Sequence, residues 1–191
     1  MLMLSWESYL IRDEGVTTFD DYIASHFERA NEHEEGIVFN PWKSGRYPTW
    51  GMPALKASKA AALQGKEKWR SFHLAVMKAF YTQGRDISKS EILEEVARET
   101  GLLIPAFIEA CRNQKWEDLV YEETKRGQEV FGIRSIPAVV VEGTLLVEGT
   151  VSIARYKQVI EEVEKKMPKM KRKEVRRQES EFRINGTAPV K

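Results

Sequence analysis

The sequence predicts an α/β fold in which a long block of helices is inserted between an N-terminal strand and a β-hairpin. Apolar residues recur at helical spacing through the middle of the chain, from about residue 53 to 131. The stretch FGIRSIPAVVVEGTLLVEG, residues 131–149, instead contains two short β-branched runs separated by a glycine, which is typical of a hairpin. A helical pattern follows the hairpin and completes the expected order.

The composition is that of a globular protein with one principal core. The 191 residues are 42% hydrophobic and 31% charged. No apolar run approaches the ~18–20 residues that a membrane span needs. The first ten residues, MLMLSWESYL, lack the basic start of a signal peptide. We therefore expect a cytoplasmic protein that does not interact with a membrane.

The N-terminal third is predicted to contain a strand, a helix and an irregular segment. Residues 4–12, LSWESYLIR, alternate apolar and polar positions and suit a strand. Apolar residues at helical spacing after Thr18, a suitable N-cap, predict a helix over about 19–34. Residues 36–53 hold prolines, glycines and large aromatics, so a loop is expected there.

Prolines, glycines and a capping box mark the helix ends in the central block. The markers are Pro53, Gly65, Gly84, Gly101 and Pro105. Ser88 and Glu91 have the spacing of a capping box, which predicts a helix beginning at Ser88. The last helix of the block is expected from about Trp116 to Phe131.

The C-terminal part is predicted to be a helix followed by a charged tail. Ser152 is a suitable N-cap for this helix. Its apolar residues at helical spacing are Ile153, Tyr156, Ile160 and Val163. Between Glu164 and Lys191 there are ten basic and four acidic residues, and residues 168–191 are expected to be disordered. Since the rest of the chain is mildly acidic and has no recognition motif, a solvated tail is favoured over nucleic-acid binding.

Two stretches resemble the DsbA-like thioredoxin superfamily, and in particular its branch of FrnE-like and 2-hydroxychromene-2-carboxylate-isomerase-like proteins. They are FHLAVMKAFYTQGRDISKSEILEEVARETGL, residues 72–102, and the hairpin stretch quoted above. The order F-H-x-A-x-M-x-A-F, then G-R-D-I, then G-I-x-x-x-P-x-V-V-V-x-G is distinctive. The similarity runs from about residue 4 to 163 and implies a thioredoxin-like fold with an all-helical insertion.

The resemblance also implies a domain organisation. Residues 1–18 and 132–167 would form the thioredoxin-like subdomain, residues 19–131 the mostly helical insertion, and residues 168–191 the basic tail.

Pro137 is the centre of the predicted substrate site. From the sequence alone, a proline at this position marks the edge or the beginning of a strand. In the family this position holds a cis-proline, and its loop faces the active-site cysteines. The resemblance therefore implies that Arg134, Ser135, Ile136 and Pro137 contact a peptide or thiol substrate.

The chain departs from the family in its cysteines. Cys111 is the only one, so there is no C-x-x-C pair and no residue is predicted to be catalytic. Family members place a strand and the cysteine motif before the strand that resembles residues 4–12, so the fold is expected to be N-terminally incomplete. Neighbouring strands lie about 4.8 Å apart, and the missing one would leave a gap of two spacings beside residues 138–141.

Three arrangements would close that gap. A longer gene product could carry the strand and the cysteines. The remaining N-terminal strand could shift to pair directly with its distant neighbour. A second subunit could complete the sheet, which would make the protein a homodimer.

The sequence therefore predicts a homologue of DsbA/FrnE-family thiol–disulfide oxidoreductases whose dithiol motif is absent from this chain. The alternatives are a non-catalytic protein that binds a peptide or partner through the Pro137 loop, a relative of glutathione-type isomerases, and a purely structural subunit. Whether the protein is an enzyme stays open, and no cofactor is expected.

Other residues with reactive side chains have simpler structural interpretations. Cys111 lies on the apolar face of a short helix and is expected to be buried and inert. His26 and His33 are two helical turns apart, so no metal site is expected. His73 is interpreted as a packing residue. The aromatic segment 42–50 is more simply a plug in the core than a lid over the substrate.

Overall fold

The computed structural model describes residues 2–4, 16–18, 21–33, 38–40, 42, 46–48, 50–134, 137–141, 145–149 and 151–166. It separates into two compact units. We call Tyr9–Glu117 the helical unit, and Met1–Ser8 with Asp118–Lys191 the sheet unit. The tail predicted over residues 168–191 lies outside the described residues, and the domain boundaries implied by the resemblance stay a prediction. Within the described ranges no helix is long and apolar enough to cross a membrane.

Five strands and seven helices follow one another along the described chain. In order they are β1 (Leu2–Leu4), β2 (Val16–Thr18), α1 (Asp21–His33), β3 (Arg46–Pro48), α2 (Met52–Ala62), α3 (Lys66–Tyr81), α4 (Ser90–Glu99), α5 (Ile104–Cys111), α6 (Lys115–Glu129), β4 (Ala138–Val141), β5 (Leu145–Glu148) and α7 (Ile153–Lys166). Strands β2 and β3 form a two-stranded antiparallel sheet, in which Thr17 lies opposite Tyr47.

The helix ends of the central block follow the local signals in the sequence. Pro53 and Pro105 lie in the first turns of α2 and α5. Backbone N–H groups there have no partner within the helix, so the N–H that proline lacks costs no hydrogen bond. Gly65 separates α2 from α3 with φ of 105°, a conformation that residues with a Cβ rarely adopt. Helix α6 ends at Glu129, two residues before the predicted end.

Two predictions in the helical unit are wrong in detail. Helix α4 begins at Ser90, so Ser88 does not cap it. Instead the Asp86 carboxylate accepts the Ser88 N–H at 3.1 Å, a local turn that satisfies this N–H before the helix starts. The predicted loop 36–53 contains β3, because three residues are too few to show an alternating pattern.

The core of the helical unit is built on α2, α3 and α5. Phe72 and Phe107 are almost completely buried, and their ring centroids lie 5.3 Å apart at 61°. Helix α2 packs against α3 and α5 with a face of small side chains. These side chains are Ala54, Ala57, Ala60 and Ala61. Since alanine adds little bulk, the neighbouring helices approach closely.

The sheet unit is a three-stranded antiparallel sheet in the order β1-β4-β5. All four residues of β4 are buried. Val139 and Val141 pack with residues of α7, whereas Ala138 and Val140 pack with Ile133. Strand β4 is thus covered on both faces, which explains its unbroken apolar sequence.

The N-terminal strand differs from the one predicted. Strand β1 covers Leu2–Leu4 and shares only Leu4 with the predicted strand 4–12, whose other residues lie outside the described part of the chain. It pairs directly with β4, Leu2 lying opposite Val140. The pairing satisfies backbone groups that an open edge of β4 would leave unbonded.

Helix α7 begins as predicted, and two of the four residues predicted for its buried face, Tyr156 and Val163, pack in the core. The Ser152 hydroxyl accepts the N–H of Arg155 at 3.2 Å, which confirms the N-cap. Val159 and Val163 are buried against the sheet. Ile153 and Ile160, which the pattern placed with Val163, are exposed.

Candidate functional site

The segment Gly132–Pro137, which we call the proline loop, connects α6 to β4. Its first residues are anchored, because Ile133 is buried and donates its N–H to the Gly127 carbonyl at 3.0 Å. Its last residue is anchored as well, since the Pro137 carbonyl accepts the N–H of Gly149 at 2.8 Å. The loop is thus fixed to its own unit at both ends.

A carboxylate from β5 holds the middle of the loop. The Arg134 N–H donates to Glu148 Oε1 at 2.8 Å. Glu148 lies opposite Ala138 in the hairpin, so the end of β5 supplies both this bond and the neighbouring bond from Gly149. Hydrogen bonds to a charged acceptor are shorter and stronger than neutral ones. Two consecutive residues, Glu148 and Gly149, therefore hold Arg134 and Pro137 in place.

The structure places two of the four predicted substrate-binding residues. Arg134 and Pro137 are exposed and belong to the same loop. Ser135 and Ile136 lie outside the described residues, and so does the Ile136–Pro137 bond that the resemblance implies to be cis. Glu148 was not singled out from the sequence. This residue belongs to one of two Val-Glu-Gly triplets in the hairpin, and nothing in the sequence distinguishes it from the other glutamate.

Replacing Glu148 by alanine is expected to release the Arg134 amide. A solvent-exposed hydrogen bond contributes about 0.5–1.5 kcal/mol, so its loss should speed hydrogen exchange at Arg134 about twofold to tenfold. The measurement is amide exchange followed by NMR. Ile133, whose N–H binds the Gly127 carbonyl, is the internal control and should be unaffected. Equal exchange at Arg134 in both proteins would show that Glu148 does not hold the loop.

Cys111 lies in a second feature, a cavity of about 480 Å³ in the helical unit. The side chain is half-buried, and burial raises the pKa of its thiol from 9.0 to about 11. The Glu94 carboxylate also raises this pKa, while the Lys56 ammonium lowers it. The thiol is therefore protonated at neutral pH and is a poor nucleophile. The sequence pattern predicts a buried thiol, whereas this one is half-buried.

Alkylation of Cys111 should be slow in the folded protein and should depend on pH. A pKa of about 11 in place of the ordinary 9.0 lowers the thiolate fraction about a hundredfold at pH 8. A thiolate of higher pKa is the stronger nucleophile, but this compensates for only about a tenfold part of that loss in rate. We therefore expect iodoacetamide to react at least about tenfold more slowly than with the unfolded chain. The folded rate should continue to rise up to about pH 11. A plateau near pH 9 would contradict the raised pKa.

The histidines and the aromatic segment have structural surroundings. His73 is half-buried and stacks on Trp69 at 5.6 Å, and burial lowers its pKa. Trp42 and Tyr47 pack on Phe80 with centroids 5.3 Å away, in the manner of a core rather than of a lid. Burial raises the pKa of Tyr47 to about 12. His26 is exposed, and the described residues contain no cluster able to hold a metal ion.

Comparison with known proteins identifies the fold and the family. A family model described as thioredoxin matches residues 28–163. A crystal structure of a protein from Nitrosomonas europaea, provisionally assigned as a protein disulfide isomerase, superimposes with a TM-score of 0.67 at 22% identity. The match covers 77% of this chain and 74% of that one. No curated protein sequence matches the chain significantly.

These similarities confirm the predicted fold class. The mostly helical chain with its small sheet is a thioredoxin-like α/β fold with a helical insertion. Within its 191 residues there is one cysteine and no C-x-x-C pair. The chain belongs to the thioredoxin family.

Proposed function

We propose that the proline loop binds an extended peptide segment of a substrate or partner protein, and that the chain derives from FrnE-like thiol–disulfide oxidoreductases. The observation that carries the proposal is the bracing of the loop. Glu148 and Gly149 bind Arg134 and Pro137 at 2.8 Å each, although both loop residues are exposed. Backbone groups that are already held in place lose little entropy on binding, which favours Arg134 and Pro137 as parts of a recognition surface.

The proposed contacts are those of the loop itself. Arg134 offers a guanidinium to a carboxylate of the peptide. In the proposal Ser135, Ile136 and Pro137 face the peptide, as the resemblance implies. Backbone hydrogen bonds to an extended peptide provide affinity, and the side chains on either side provide specificity.

Binding without disulfide exchange is expected for these 191 residues. Exchange requires a thiolate that attacks a disulfide. Cys111 is the single cysteine, and its raised pKa opposes formation of the thiolate. The enzymatic alternative is a glutathione-type isomerase reaction, which uses no cysteine of the protein.

Binding can be tested with reduced and carboxymethylated ribonuclease A, a permanently unfolded protein. Its fluorescent derivative should bind saturably in an anisotropy titration. The double variant Arg134→Ala, Pro137→Ala should weaken binding about tenfold or more, since it removes a charged contact and a fixed backbone position. Ile153→Ala, an exposed apolar residue at the start of α7, is the control and should bind as the wild type does. Wild-type affinity in the double variant would contradict the proposal.

Catalysis can be tested separately. With dithiothreitol as reductant, the 191-residue chain should not accelerate insulin reduction, and Cys111→Ser should behave identically. Acceleration that disappears in Cys111→Ser would show that the thiol is active after all. Calorimetric binding of glutathione that persists in the double loop variant would favour the isomerase alternative.

A further inference from the structure

The cavity beside Cys111 is a cleft with an apolar floor and an open mouth. Its floor is made of side chains that are almost completely buried, namely Met52, Ala57, Leu93 and Phe107. Trp50 forms one wall and is half-buried. A volume of about 480 Å³ lies in the range of pockets that enclose small ligands, which are mostly apolar with a few placed polar groups.

The rim of the cavity carries charges of both signs. Lys56 and Arg112 are basic, and Glu94 and Glu117 are acidic. Lys56 Nζ lies 3.2 Å from Glu117 Oε2, and the Lys56 side chain is only 21% exposed. Glu94 comes from α4 and Lys56 from α2, and both line the cavity together with Cys111, whose thiol they influence electrostatically. One positive and one negative group therefore flank the same wall.

The ion pairs that Glu94 and Lys56 form can be replaced by ion pairs with a ligand at little cost in free energy. Glu94 pairs with Arg98 one helical turn away at 3.5 Å, and the Arg98 side chain is mostly exposed. Such exposed surface pairs contribute little to stability. Glu117 is partly exposed and can turn to solvent when another carboxylate takes its place on Lys56.

We propose that this cavity binds a small zwitterion with an apolar body, that is, an apolar amino acid or dipeptide. The ligand carboxylate binds Lys56 in place of Glu117, the ammonium group binds Glu94, and the apolar side chain enters the floor between Leu93 and Phe107. A neutral hydrocarbon would leave the rim charges without new partners. A ligand with a single charge would be repelled by the rim residue that carries a charge of the same sign.

The site belongs to the helical unit alone and does not depend on the function proposed for the proline loop. Its residues lie between Trp50 and Glu117. The inference survives if the loop proves not to bind peptide, and the loop proposal survives if the cavity proves empty.

The probe is the dipeptide leucyl-phenylalanine, titrated into the full 191-residue chain at pH 7 and followed by calorimetry and by the NMR signal of the Trp50 indole N–H. We expect saturable binding that shifts this signal. Two blocked probes separate the charges, since the acetylated dipeptide lacks the ammonium group and the dipeptide amide lacks the carboxylate. Each should bind about tenfold more weakly or worse. No binding of the dipeptide, or equal binding of all three probes, would overturn the proposal.

Substitutions in the lining of the cavity test whether the ligand binds there. Ile108→Trp should fill the space and abolish binding, and Lys56→Met and Glu94→Gln should each weaken it about tenfold. Lys78→Met, on the exposed surface of α3, is the matched control and should leave the affinity unchanged. Thermal unfolding checks that each variant is folded. If Ile108→Trp is destabilised, Lys56→Met and Glu94→Gln decide, and wild-type affinity in both would contradict the inference.

Discussion

Replacing Phe72 by alanine is expected to destabilise the helical unit by about 3–5 kcal/mol, the range for phenylalanine truncation in a packed core. Phe72 is fully buried at the centre of α3 and packs edge-on against Phe107 of α5. Truncation removes apolar surface and leaves a cavity that the surrounding helices cannot close. The measurement is urea denaturation followed by circular dichroism.

The matched control lies two residues further along the same helix. Leu74 is 58% exposed, and Leu74→Ala should change the free energy of unfolding by less than about 0.5 kcal/mol. Similar losses in the two variants would mean that α3 does not bury the face described here.

Replacing Val159 by aspartate is expected to destabilise the sheet unit by about 3–5 kcal/mol, the cost of leaving a charge buried without a partner. Val159 is 0% exposed and packs with the valines of β4 and β5. The same strand β4 begins at the proline loop, so the variant should also lose peptide binding. Stability is measured by urea denaturation, and binding by the anisotropy titration described above.

The neighbouring residue is the control for this prediction. Ile160 is 44% exposed, and Ile160→Asp should cost less than about 1 kcal/mol. A larger loss of stability in Ile160→Asp than in Val159→Asp would place Ile160 in the core, as the sequence pattern suggested. That result would contradict the observed burial of Val159 and exposure of Ile160.

The helical block was predictable because its signals are local. Proline in a first turn, glycine after a last turn and apolar residues at helical spacing all act within a few residues of one another. The resemblance then supplied the arrangement that local signals lack. It assigned the fold class, which the family match and the superposition confirm.

The short strands and the buried face of α7 were harder to predict from the sequence. Strands β1 and β3 have three residues each, and what defines them is the partner strand rather than their own sequence. In α7, Val159 and Ile160 are adjacent and equally apolar, so which of them faces the sheet depends on packing that the pattern does not contain.

The candidate sites were likewise predictable only in part. The resemblance pointed to Arg134 and Pro137, but the role of Glu148 depends on a hydrogen bond across 14 residues of a hairpin. The cavity beside Cys111 combines residues from four helices, and no local motif announces it. Geometry that joins distant segments had to come from the structure.

An NMR titration of the ¹⁵N-labelled 191-residue chain with a peptide from carboxymethylated ribonuclease A tests most directly the claim that the proline loop is a recognition surface. Recognition by the loop predicts saturable shifts of the amide signals of Arg134 and Gly149, while the signal of Lys78 stays in place. Shifts confined to residues 9–117, or no shifts at all, would contradict it.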